Sequence, residues 1–143
     1  MRVMVIGRAT KDTEAGILPK KEALEAMGKF NEELVKAGIM LAGVGLQASS
    51  KGKRVKFGKG KPVVIDGPFT ESKELIAGFM LWQVRSMEEA VEWVKRGPFG
   101  EQEEAEVEIR QVFRADDFGA EMTPELRERE TRWRSQVESK KRE

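Results

Sequence analysis

The run Gly78-Phe79-Met80-Leu81-Trp82-Gln83-Val84 constrains the fold more than any other stretch of the chain. It is short, apolar, rich in aromatic and branched side chains and opened by glycine, so it reads as a strand. Because side chains alternate across a strand, Phe79 and Leu81 leave by one face while Met80, Trp82 and Val84 leave by the other. The opening run Arg2-Val3-Met4-Val5-Ile6-Gly7 repeats the pattern, with Val3 and Val5 set against Met4 and Ile6. A sheet built from such strands has two oily faces. Each large apolar side chain left in water forgoes about 1.5–3 kcal/mol, so both faces need a cover.

The rest of the sequence supplies a cover for one face. After Pro19 the apolar positions Leu24, Met27, Phe30, Leu34 and Val35 fall three to four apart until Gly38, which suits a helix C-terminus. Ile39–Val44 reads as a second strand. Residues 51–65 read as a peripheral hairpin, with Arg54–Phe57 and Val63–Ile65 joined through Gly58-Lys59-Gly60. Ser86 with Glu89 opens a second helix, lined by Ala90, Val91 and Val94 and stopped at Gly97-Pro98. Val107–Phe113 alternates as the last core strand. With the hairpin set aside, the order is strand, helix, strand, strand, helix, strand, the split βαβ arrangement of a ferredoxin-like α+β domain. Its two helices cover one side of a four-stranded sheet. A second copy packed face to face is the expected cover for the other.

Beyond this domain, placed at residues 1–116, residues 117–143 form a charged helical extension. Thr123-Pro124-Glu125 gives a helix start, and 12 of the last 19 residues are charged. Glu125/Arg129, Glu128/Arg132 and Glu130/Arg134 sit four apart in the favourable order. Trp133, in a narrow seam with Leu126 and Val137, is expected to dock on the core or on a partner.

Composition narrows the chemistry. The 143 residues contain neither cysteine nor histidine, which removes thiolate nucleophiles, Cys/His zinc sites and imidazole proton shuttling. No metal and no cofactor is expected. There is no long apolar run and no leader-like start, so no membrane span is expected and the cytoplasm is the default location. Six bases and no acid lie between residues 51 and 61 (Lys51, Lys53, Arg54, Lys56, Lys59, Lys61), yet a net charge of +1 argues against a dedicated nucleic-acid binder. Lysines on a peripheral hairpin also guard against edge pairing. The acidic run from Glu101 to Glu108 offers them a complement across a subunit contact.

Asp66-Gly67-Pro68-Phe69 has turn chemistry: a side chain that accepts from nearby N–H groups, a permissive glycine and a fixed φ. A second reading makes Asp66, Pro68, Phe69, Glu71, Lys73 and Glu74 part of a small-molecule site in a cleft at the subunit boundary, where a carboxylate serves as base or ligand contact. Arg110 shares a strand face with Glu108 and either grips an anion between the two copies or forms a surface salt bridge.

Asp66-Gly67-Pro68-Phe69, continued by Thr70-Glu71-Ser72-Lys73-Glu74-Leu75 and then Gly78-Phe79, resembles the signature of the DGPF group of the YCII-related family. Gly38 through Gly45-Leu46, Glu89-Ala90, Gly97-Pro98 and Glu108-Ile109-Arg110 fit the same pattern, from about residue 2 to residue 113. The resemblance implies a dimeric α+β barrel and an association with sigma-factor-linked transcription regulation. In plainer relatives it implies a His–Asp pair in a cleft. Neither half of that pair is here: the chain has no histidine, and Gly97-Pro98 stands where that branch has Asp-Pro. Gln111 also departs from the proline common at the end of the group's last strand. The expected function is therefore a small-molecule-binding or regulatory accessory homodimer, the alternative being an enzyme that uses Asp66 or a nearby Glu as base.

Overall fold

A computed structural model of the chain describes residues 1–70, 74–100 and 104–140. It contains two compact units, Met1–Gln111 and Val112–Glu143. In the first, strands β1 (Arg2–Arg8), β2 (Met40–Gly45), β5 (Ile76–Gln83) and β6 (Val107–Gln111) form one antiparallel sheet in the order β2-β5-β1-β6. This is the ferredoxin-like strand order. Strands β3 (Lys53–Lys56) and β4 (Val63–Asp66) form the separate inserted hairpin.

Helix α1 (Lys11–Glu14) is a single turn capped by Thr10. Helix α2 (Lys21–Lys36) and helix α3 (Met87–Arg96) pack on one sheet face, where Phe30, Leu34 and Ala90 join Val3, Val5, Trp82 and Val84 in the buried core. Phe30 meets Trp82 and Phe99 edge to face, the arrangement aromatic quadrupoles favour. Gly38 takes the left-handed conformation (φ 74°) that ends α2. Its N–H bonds the Val35 carbonyl and that of Ile39 bonds the Leu34 carbonyl, with Ile39 and Leu34 both buried in the core. Ser86 caps α3 through the Glu89 N–H, but the Glu89 carboxylate reaches back to the N–H of Arg85 rather than to that of Ser86. Leu24 and Val35, placed by spacing on the apolar stripe of α2, are exposed, because Phe30, Leu34 and Met27 already span the width of helix that meets the sheet.

The opposite sheet face carries the second apolar set. Residues directly opposite on an antiparallel ladder share a face. Met4 lies between Leu81 and Arg110, and Ile6 between Phe79 and Glu108. Ala42 and Val44 extend this face along β2, and Val44 is 51% exposed. Met4 thus lies on the side away from α2 and α3, while Met27, Met40, Met80 and Met87 pack against the core.

In the second unit, α4 (Pro124–Ser139) starts at Thr123, whose side chain accepts from the Leu126 N–H, with Pro124 in its first turn. Of the spaced charge pairs, Glu130–Arg134 closes at 2.7 Å, and Arg134 also lies over the Trp133 ring, which remains 46% exposed. Phe113, expected on the last core strand, falls beyond β6 and stacks on Phe118.

Candidate functional site

The chemistry-bearing part of the first unit gathers where β1 and β2 end and β5 begins. Residues leaving β1 form α1 and the loop to α2, those leaving β2 form a short 3-10 turn (Ser49–Lys51), and the two segments face one another across a cleft of about 1220 Å³. Ile17, Leu18 and Leu46 give it an apolar lining, Lys20 and Lys51 give it two cations, and Asp12 and Glu14 two carboxylates. Lys20 is also the N-cap of α2 and provides no side-chain cap, so that helix end keeps free N–H groups and its partial positive charge.

Ser49 ties the cleft wall together. Its Oγ–H donates to Glu14 Oε1 (2.5 Å) and its N–H to Glu14 Oε2 (2.7 Å). Both bonds favour the ionised carboxylate and hold the Glu14 carboxyl below its ordinary range, against a smaller opposing effect of burial. Glu14 is thus a structural acceptor with both oxygens engaged. Sequence reasoning passed over this pair because it joins residues 35 apart through no recognisable spacing.

The Asp66–Phe69 turn stands behind the same wall. The N–H of Phe69 donates to Ser49 Oγ (3.0 Å) and that of Gly67 to the Gly52 carbonyl (3.0 Å). Gly67 presses against the Ser49 backbone so closely that a Cβ there would lie 1.8 Å from the Ser49 carbonyl oxygen, which is why only glycine fits. The Gly67–Pro68 peptide is cis. The Phe69 ring lies under the Arg54 guanidinium at 3.9 Å. Asp66 does not cap the turn. Its carboxylate is 73% exposed and ion-paired with Lys53 across the β3–β4 ladder, while Ser49 receives the turn's N–H.

Of the residues singled out from sequence, Asp66, Pro68 and Phe69 are brought together with Ser49, Lys53 and Arg54 but do not line the cleft. Glu74 is exposed, and Glu71 and Lys73 lie outside the described residues. Arg110 is on β6 in the main sheet, 74% exposed, with its Nε 3.8 Å from Glu108 Oε2. Glu108 is bonded more closely by Arg8 at 2.8 Å. Among the described residues no three acidic side chains gather as a metal site, and no helix is long and apolar enough to cross a membrane.

Among curated proteins none matches the chain. One solved structure it is similar to is the 5-chloro-2-hydroxyhydroquinone dehydrochlorinase of Burkholderia phenoliruptrix in complex with 2,5-dihydroxybenzoquinone. That likeness has 17% identity and a TM-score of 0.44, over 79% of this chain and 94% of that one. The family model of the YCII-related domain matches residues 1–116, which includes the whole four-stranded sheet, the hairpin and the cleft, and the chain belongs to the YCII-related family.

Proposed function

We propose that this protein binds a small organic anion in the cleft between residues 12–20 and 45–51, and that it works as a homodimer whose copies cover each other's open sheet face. Within the family, the motif Asp66-Gly67-Pro68-Phe69 supports membership of the DGPF group. The observation that carries the reading is the make-up of the cleft: an apolar strip of Ile17, Leu18 and Leu46 with Lys20, Lys51 and the uncapped start of α2, its acids being Asp12 and a Glu14 whose carboxylate is taken up by Ser49. Such a mixture suits a ligand with an apolar body and a carboxylate or similar group. The volume exceeds the roughly 300–1,000 Å³ usual for ligand pockets, in keeping with an open cleft. Dimerisation is supported by Met4, Ile6, Phe79 and Leu81, only partly buried on the side of the sheet away from α2 and α3.

Binding rather than catalysis is favoured by the state of the carboxylates. Glu14 has both oxygens occupied by Ser49, which holds its carboxyl below the ordinary range rather than raised as a general base needs, and Asp66 is exposed and paired with Lys53 rather than enclosed. A regulatory accessory role would follow if cleft occupancy is read by a further protein. Benzoate, an apolar ring with one carboxylate, is a suitable probe. In an amide NMR titration its addition is expected to shift Ile17, Leu18, Leu46 and Lys51, and Lys51→Glu is expected to weaken it about tenfold. Shifts confined to the surroundings of Asp66, abolished by Asp66→Asn, would favour the enzyme alternative. The absence of saturable shifts near the cleft contradicts the proposal.

A further inference from the structure

The β3–β4 hairpin is an unusual appendage. Val55, Phe57, Val63, Val64 and Ile65 are all exposed, with Phe57 at 77%. Val55 pairs with Val64 on one hairpin face, while Ile65 and Val63 lie opposite Arg54 and Lys56 on the other. An isolated two-stranded ribbon with apolar side chains in water on both faces is marginal on its own. Its base is nevertheless anchored: Ser49 holds Phe69 and Glu14, Gly52 holds Gly67, and Arg54 covers Phe69. Such an element is fixed in direction but unfinished in its packing.

Charge supplies a partner. Of the six bases between residues 51 and 61, only Lys53 makes an ion pair among the described residues, with Asp66. At the start of β6, Glu104 and Glu106 are exposed and make no ion pair among the described residues, and Glu108 follows on the strand. Bases and acids cannot meet across the sheet of one copy, because the hairpin leaves from β2 at one edge and the acids enter β6 at the other. They do share an end of the sheet. The registers align Gly45 with Gly78, Gly78 with Gly7, and Gly7 with Val107, so the exit of β2 and the entry of β6 are level.

Symmetry then brings the two together. If two copies stack through their open faces about a twofold axis parallel to the strands, β2 of one lies over β6 of the other and the strand ends stay level. Each hairpin then projects beside the partner's acidic segment, and the contact is made twice.

We infer that the β3–β4 hairpin is an arm that clasps a second copy of this chain, laying its bases on Glu104, Glu106 and Glu108 of the partner subunit. The inference rests on the proposed face-to-face dimer. Charge reversal separates the two. In the full chain, Lys56→Glu, Lys59→Glu and Lys61→Glu together, or Glu104→Lys and Glu106→Lys together, are each expected to weaken self-association about 100-fold, since twofold symmetry applies each change twice. Mixing the two variants is expected to restore a heterodimer of wild-type strength, because both of its arm contacts regain opposite charges. Sedimentation velocity at micromolar concentration reads all three. A wild-type dimer that neither reversal weakens, or weakened variants that mixing does not rescue, overturns the arm while leaving the sheet-face dimer standing. A monomeric wild type overturns both.

Discussion

Gly67→Ala tests how the turn before β5 supports the cleft wall. The added Cβ would stand 1.8 Å from the Ser49 carbonyl oxygen and 2.7 Å from its carbonyl carbon, with the Gly52 carbonyl oxygen at 3.3 Å. These are backbone atoms on both sides, so no rotamer change relieves the clash and one segment must move. Displacing Ser49 breaks the bond from Phe69 and the two to Glu14. Three bonds near the surface, two of them to a carboxylate, amount to about 2–4 kcal/mol. For a domain of this size that lowers Tm by roughly 10 °C. Gly58→Ala is the matched control, because no atom lies within 4 Å of its Cβ and its φ is outside the left-handed region, so the hairpin tip should accept it at no cost. Differential scanning calorimetry with amide exchange at Phe69 is the assay. A Gly67→Ala protein that melts within about 2 °C of the parent and keeps the Phe69 amide protected would refute the account of the turn.

Leu34→Ala removes a fully buried side chain between α2 and the sheet and should cost about 3 kcal/mol in urea unfolding; a loss under about 1 kcal/mol would mean the core is placed wrongly. Because the folded state holds the Glu14 carboxyl below its ordinary pKa, its contribution is fully present above about pH 4.5 and fades as acid protonates the folded form. The gap in urea midpoint between the parent and Glu14→Gln should therefore be constant near neutrality and close below that pH; a gap that widens on acidification has the wrong sign.

The sheet was legible because its signals are periodic and local. Alternation separated Val3 and Val5 from Met4 and Ile6, and Trp82 from Phe79 and Leu81, Gly38 marked the end of α2, and Ser86 marked the start of α3. The fourth strand was drawn too long because Phe113 continues the alternation, although its ring instead stacks on Phe118. The site was less legible. The Asp66–Phe69 turn stood out in sequence, but the role given to the Asp66 side chain belongs to Ser49, whose partners Glu14 and Phe69 come from segments 35 residues before it and 20 after it. Such contacts have no period, so only the folded chain brings them together. The cleft is a meeting of loops for the same reason, and its Lys20 and Lys51 carry no sequence mark apart from charge.

The mass of the full chain in solution, measured by light scattering at micromolar concentration and moderate salt, bears most directly on the open sheet face. Stacking of Met4, Ile6, Phe79 and Leu81 against their copies predicts about twice the 16.2 kDa of one chain. A stable particle at the mass of one chain would mean that this face rests in water, and the homodimer and the clasping arm would both be wrong.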